Sequence, residues 1–194
     1  MKTHFKYVIF GGAFDPIHQG HIGMINTALA TINVETLYLM PTQQSPMKSS
    51  QVAAARHRFA MLELSRDYIQ QTTSTIEVSS MEIDRPGVSY TIDTINSLPE
   101  TDGRIGFLMG GDQFLSFHLW KDHHQLAAAM TLLVVKRNHV SADIYRQYQR
   151  QHGVNALFLP PTIQVSSTQI REMSMPKTGL DRIDAYIMTH GLYR

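Results

Sequence analysis

Two histidines, His18 and His21, follow shortly after a Gly11-Gly12 pair, and this run carries the clearest chemistry in the chain. An imidazole donates hydrogen bonds through its N–H, more strongly when protonated, which suits it to phosphate oxygens. Glycines ahead of it let the backbone approach a ligand closely, because no Cβ is in the way. Asp15-Pro16 predicts a turn, and Gly20 a tight entry into a following helix. The helix start adds unpaired amides and the positive end of a dipole. Singly, a Gly-Gly is an ordinary turn and a His near a helix start an ordinary cap. Gathered at one strand-to-helix turn, they point to phosphate binding. The run is neither a Walker loop nor a Rossmann dinucleotide fingerprint. As a metal pair the histidines lack a third ligand at sensible spacing, so no metal-binding residue is assigned.

A second run, VSSTQIRE (165–172), places Ser166, Ser167 and Thr168 ahead of a predicted helix with Arg171 one turn inside it. Hydroxyls there are common N-caps. The alternative is a second phosphate-facing helix start, with Arg171 as a forked cation. Trp120 is the chain's only Trp. A flat indole suits stacking on a small aromatic ring, and equally suits a core position anchoring the next helix.

The elements that must position these residues alternate. Short apolar runs at 5–10, 36–40, 75–78, 104–109, 132–135 and 156–159 read as strands. Amphipathic stretches at 21–31, 52–65, 91–98, 125–130, 142–151, 168–173 and 180–190 read as helices. Such alternation predicts an α/β fold: a Rossmann-like, doubly wound parallel sheet with C-terminal helices. Ligands then bind beyond the carboxyl ends of the strands. Gly11-Gly12, Pro41 and the Gly110–Asp112 stretch all fall at predicted strand ends.

A length of 194 residues suits one nucleotide-binding domain over 1–194, its helical end at about 165–194. The apolar fraction of 43% against 17% charged supports a sizeable core and argues against disorder. A formal net charge of +1 argues against a nucleic-acid partner, which needs a concentrated basic face. The absence of cysteine excludes disulfides, a cysteine-bearing zinc site and a thiol nucleophile. No run reads as a signal peptide or a membrane span, so a cytoplasmic location without membrane partner is expected. Oligomeric state is not readable from the sequence.

GGAFDPIHQGHI (11–22) resembles the nucleotidyltransferase signature with its paired histidines, and VSSTQIRE resembles that family's Ser-Ser/Thr-x-x-Arg motif. Between them, RPGVSYTIDTI (85–95) is similar to a segment of bacterial nicotinate mononucleotide adenylyltransferases. MGGDQFLSFHLWKDHHQL (109–126) resembles their Gly-x-Asp stretch followed by a Trp, and YIMTHGLY (186–193) their C-terminal end. The resemblance implies transfer of the adenylyl group of ATP to nicotinate mononucleotide in NAD biosynthesis, with Mg²⁺ carried on the ATP phosphates. It assigns catalytic roles to His18, His21, Lys48 and Arg171. It places ATP against Gly11, Gly12, Phe14, His18, His21, Gly110, Asp112, Ser166, Ser167 and Arg171. The nicotinate end falls to Tyr90, Thr91, Trp120 and Lys121. One departure stands out: the run PTQQSPMK (41–48) puts Met47 where the family has a phosphate-contacting His, with His57 a candidate substitute. The rival readings are an adenylyltransferase for another mononucleotide or phosphopantetheine, and a non-catalytic nucleotide-binding paralogue.

Overall fold

The computed structural model describes residues 2–46 and 53–194. Six strands form one sheet: β1 (His4–Gly12), β2 (Asn33–Pro41), β3 (Thr75–Val78), β4 (Ile105–Gly110), β5 (Thr131–Val135) and β6 (Ala156–Leu159). Their order is β3-β2-β1-β4-β5-β6 and every pairing is parallel. The chain winds one way from β1 to β3, then returns to the other side of β1 for β4. All six strands therefore point their carboxyl ends the same way, with the reversal between β1 and β4.

Period-two alternation divides the core in two. Val8, Phe10, Leu37, Leu39, Leu108, Leu133 and Val135 face one layer. Ile9, Met40, Phe107, Met109, Leu132 and Val134 face the other. A strand buried on both sides must be apolar at every position, which is why these segments read as continuous runs. The first layer is covered by α1 (Gln19–Thr31), α2 (Ala55–Ser65) and α9 (Asp181–His190), through Ile22, Ile25, Met61, Leu62, Ile183 and Ile187. The second is covered by α4 (Thr91–Asn96), α5 (Gly111–Leu115), α6 (His123–Ala129) and α7 (Ala142–His152), through Ile92, Phe114, Leu126, Tyr145 and Tyr148.

Three further features were outside the predicted elements or differ from them. A one-turn helix α3 (Met81–Asp84) and α5 are too short for a periodic pattern to show. Gly110-Gly111, read as the stop of a strand, instead completes β4 and starts α5. A side chain at Gly111 would overlap the Tyr145 hydroxyl, so only glycine lets α7 pack this close. α8 (Ser167–Arg171) is shorter than expected and lies beside the turn after β1. Among the described residues, no helix is long and apolar enough to cross a membrane.

Candidate active site

The turn between β1 and α1 is fixed from four directions. Asp15 is 4% exposed, and its Oδ1 accepts from the Ala53 amide at 3.1 Å and the Tyr193 hydroxyl at 2.7 Å. The Asp15 carbonyl accepts from Arg171 Nη1 at 2.5 Å, and the Pro16 carbonyl from the Ser167 hydroxyl at 3.0 Å. Below lies Arg58, only 1% exposed. Its guanidinium donates to the carbonyls of Ala13 (2.8 Å), Thr42 (2.7 Å) and Ala53 (3.1 Å). One buried cation thus joins the ends of β1 and β2 to the approach to α2. Burial lowers the Arg58 pKa, while the neighbouring Asp15 carboxylate pulls it back up. Burial and the bond to Asp15 push the Tyr193 phenol well above its usual range.

On this base stand the histidines. His18 is the N-cap residue of α1 in extended conformation, and its ring is 3% exposed. The His21 ring stacks on it with centroids 3.7 Å apart and planes 25° from parallel. The His18 amide donates to His21 Nδ1 at 3.3 Å. An Nδ1 that accepts carries no proton, so neutral His21 holds its proton on Nε2. Phe14 packs edge-on against His21, with centroids 5.1 Å apart.

A cavity of about 250 Å³ opens over this turn at the β1/β4 reversal. Gly11, Gly12, Phe14, His18, His21, Gly110, Asp112, Ser166 and Ser167 all line it. Some of their roles are narrower than expected. Phe14 is almost wholly buried and acts chiefly as a wall for His21. Ser166 caps α8, accepting from the Gln169 amide at 3.1 Å. Arg171 is not part of the cavity wall: Nη1 is committed to Asp15, and Nη2 donates to Thr168 at 3.3 Å. Lys48 and Met47 lie outside the described residues. His57 is no substitute for the missing histidine, because it packs against Tyr186 and His190, away from the cavity.

Tyr90, Thr91, Trp120 and Lys121 form a second group beside the first. Trp120 is half-buried and packs edge-on against Phe107 of β4, with centroids 5.5 Å apart. Phe107 in turn lies under Gly11, where an added Cβ would meet its ring at 3.3 Å. The indole is therefore one aromatic ring away from the glycine floor of the cavity. Lys121 is less free than a solvated lysine: Nζ pairs with Asp93 at 3.3 Å and sits 4.7 Å from the centre of the Tyr90 ring.

Sequence reading missed Arg58, Lys136 and Arg137. The last two line the cavity, and Arg137 pairs with Asp112 at 2.7 Å. Both follow β5 directly, so the rule that picked out Gly110 and Asp112 at a strand's carboxyl end would have found them. Arg58 offered no such signal, since an arginine in a helix of mixed polarity reads as a surface residue.

Comparison with known proteins agrees with this geometry. The cytidylyltransferase-like family model matches residues 9–173. A probable nicotinate-nucleotide adenylyltransferase of Acidithiobacillus ferrooxidans is 33% identical over 218 residues, covering 100% of this chain and 98% of its own. One from Aquifex aeolicus is 35% identical over 132 residues, or 67% of this chain and 76% of its own. The fold is shared with Plasmodium falciparum nicotinic acid mononucleotide adenylyltransferase complexed with NaAD, at a TM-score of 0.78 and 15% identity, covering 98% and 97% of the two chains. The chain belongs to the cytidylyltransferase-like family and, within it, to the nicotinate-nucleotide adenylyltransferases.

Proposed function

We propose that the cavity at the β1/β4 reversal is where the adenylyl group of ATP passes to nicotinate mononucleotide, giving nicotinate adenine dinucleotide and pyrophosphate. The observation that carries this reading is the stacked His18–His21 pair on the cavity wall, with the His21 proton on Nε2, set one ring away from Trp120. The nicotinate mononucleotide 5′-phosphate attacks the α-phosphorus in line. A new P–O bond forms as the bond to the β-phosphate oxygen breaks, and its electrons leave with pyrophosphate. The attacking oxygen is already anionic at neutral pH, so neither a protein nucleophile nor a strong base is required. Catalysis is positioning plus stabilisation of the charge that builds on phosphorus.

In this reading His18 and His21 donate to phosphate oxygens, Gly11 and Gly12 let the chain of phosphates lie close, and Ser166, Ser167 and Lys48 flank them. Arg171 serves by holding the turn through Asp15, with its remaining N–H groups available to the pyrophosphate end. Asp112 takes a ribose hydroxyl and Gly110 admits the adenosine. Trp120 stacks on the pyridine, while Tyr90, Thr91 and the backbone at Lys121 surround the nicotinate carboxylate. Mg²⁺ fits as a passenger on the triphosphate, held by phosphate oxygens and water and shielding their charge. The side chains match that role: no cluster of three or more His, Asp or Glu that could hold an ion occurs among the described residues, and Asp112 is paired with Arg137.

Pyrophosphate release, measured with ATP and nicotinate mononucleotide, its amide analogue or phosphopantetheine, tests the reading. Turnover with nicotinate mononucleotide should exceed that with the amide by about tenfold to hundredfold, the worth of one mismatched donor against backbone N–H groups. Equal rates would remove the nicotinate assignment. No release with any acceptor would favour a non-catalytic nucleotide-binding role.

A further inference from the structure

Beneath the segment that carries Tyr90 and Thr91 lies a buried carboxylate that the reaction does not use. Glu82, on α3, is 5% exposed. Its Oε1 accepts a 2.6 Å hydrogen bond from the Thr94 hydroxyl, itself almost wholly buried on α4. The Thr94 oxygen accepts in turn from Arg85 Nη2 at 3.0 Å. The other carboxylate oxygen, Oε2, is fully buried. Ser89 stands in the same pocket, its hydroxyl accepting from the Gln43 amide at 2.9 Å, while its own amide donates to the Gln44 carbonyl at 2.9 Å. Burial raises the Glu82 pKa, with Thr94, Arg85 and Ser89 acting against that rise.

A buried carboxylate is costly to keep even when it is hydrogen-bonded. Its position suggests what it does instead. Three separate segments meet at it: the stretch after β2 (Gln43, Gln44), α3 with Arg85, and the run from Ser89 to α4. The Thr94 hydroxyl lies 2.6 Å from Glu82 and 3.4 Å from the Tyr90 carbonyl and accepts from Arg85, so it ties the start of α4 to α3. Tyr90 and Thr91 stand at that start.

We propose that Glu82, acting through Thr94, is a positioning residue that sets substrate choice at the nicotinate end of the site. The inference rests on the placement of the nicotinate end at Tyr90, Thr91 and Trp120 given above. It predicts a change in one substrate only: the acceptor mononucleotide binds less well, whereas ATP, held over the β1–α1 turn, does not.

Steady-state kinetics on Glu82→Met, Glu82→Gln, Thr94→Val and Trp120→Ala test it, with thermal melts alongside. Glu82→Met should raise the KM for nicotinate mononucleotide about tenfold, the worth of one lost orienting hydrogen bond, with the KM for ATP changed less than twofold. Its melting temperature should fall modestly, because the Thr94 hydroxyl loses its acceptor, so the readout is the split between the two KM values and not stability. Glu82→Gln keeps an oxygen for Thr94 and should stay within about threefold of the parent chain. Thr94→Val removes the relay from the other side and should reproduce Glu82→Met; it also decides the matter if the methionine variant does not fold. An unchanged nicotinate mononucleotide KM in Thr94→Val, equal rises in both KM values, or a glutamine variant as poor as the methionine one would overturn the inference. Trp120→Ala separates the two layers. If it raises the acceptor KM while the Glu82 and Thr94 variants do not, the positioning role alone is lost. If it has no effect on that KM, the placement of the nicotinate end falls and the inference falls with it.

Discussion

The two halves of the site are built differently. Around the β1–α1 turn, Asp15, His18 and Arg58 are almost fully buried, Asp15 is held by Ala53, Arg171 and Tyr193, and Arg58 ties the Ala13, Thr42 and Ala53 carbonyls together. Beside Trp120, Lys121 and Asp93 form a half-exposed pair. Buried networks in low dielectric hold one geometry, whereas exposed pairs are worth little and exchange readily with water. The half proposed to face the reacting phosphorus is therefore over-determined, whereas in the half proposed to choose the acceptor α4 is held from behind by Glu82 and Thr94 and the outer pair of Lys121 with Asp93 is adjustable. That division is sensible for in-line transfer, where small displacements at phosphorus cost rate heavily and recognition tolerates adjustment.

The contrast is open to attack in four places. The largest effect belongs to Arg58→Met. Removing one member of a buried charged network leaves the Ala13, Thr42 and Ala53 carbonyls without their donor and Asp15 without a neighbouring positive charge, costing about 3–5 kcal/mol of stability. Chemical denaturation should show it; a loss under 1 kcal/mol would mean the turn is not held from below. His21→Ala comes next, and should lower kcat by about a hundredfold to a thousandfold, by analogy with the loss of one oxyanion donor. The melting temperature should barely move, and a kcat near that of the parent would reduce His21 to a structural cap.

Tyr193→Phe is the third and smaller test, since it removes one hydrogen bond to a buried carboxylate, about 1–2 kcal/mol. It also carries a pH signature. The phenol's ordinary pKa is 10.0, and burial raises it in the folded chain. Below that value both folded and unfolded chains keep the proton and pH has no effect through this group. Above it the unfolded chain ionises first, so stability falls as pH rises. The alkaline decline should be shallower in Tyr193→Phe, and identical slopes would show that the hydroxyl is not buried as described. Last is Lys121→Met, where an exposed pair should contribute under ~1 kcal/mol, so the acceptor KM should shift by less than about fivefold. A much larger shift would put Lys121 among the tightly built residues and blur the contrast.

How much of this was legible in the sequence follows the same line. β3 and β6 match the predicted spans, β3 as an alternating Thr-Ile-Glu-Val run between serines and β6 as an apolar run stopped by Pro160 and Pro161. β2 begins at Asn33, three residues before the predicted 36, since Asn33 and Glu35 point to solvent at its start and hide the strand's period. α1 begins at Gln19, two residues early, because Gly20 reads as a turn residue although the space beside the His18 ring requires it. The histidines were visible because their chemistry is local, with donors, glycines and helix start all inside one dozen residues. Arg58 and Tyr193 were invisible as a pair with Asp15, because nothing in their own neighbourhoods tells that they meet. The Ser167 and Arg171 run was found for its type, but its contacts with the turn backbone are a fact of tertiary packing alone.

The sequence distances within that turn have a consequence for how the molecule comes into being. Asp15 is bound by residues 38, 156 and 178 positions further along the chain. Contacts across such spans form late, because the long loops must close before they are rewarded. On a ribosome the sheet's first strands can begin to assemble long before Arg171 and Tyr193 have been made. The turn would stay loose until Arg171 and Tyr193 have been made and have folded back over it, whatever the state of the first strands.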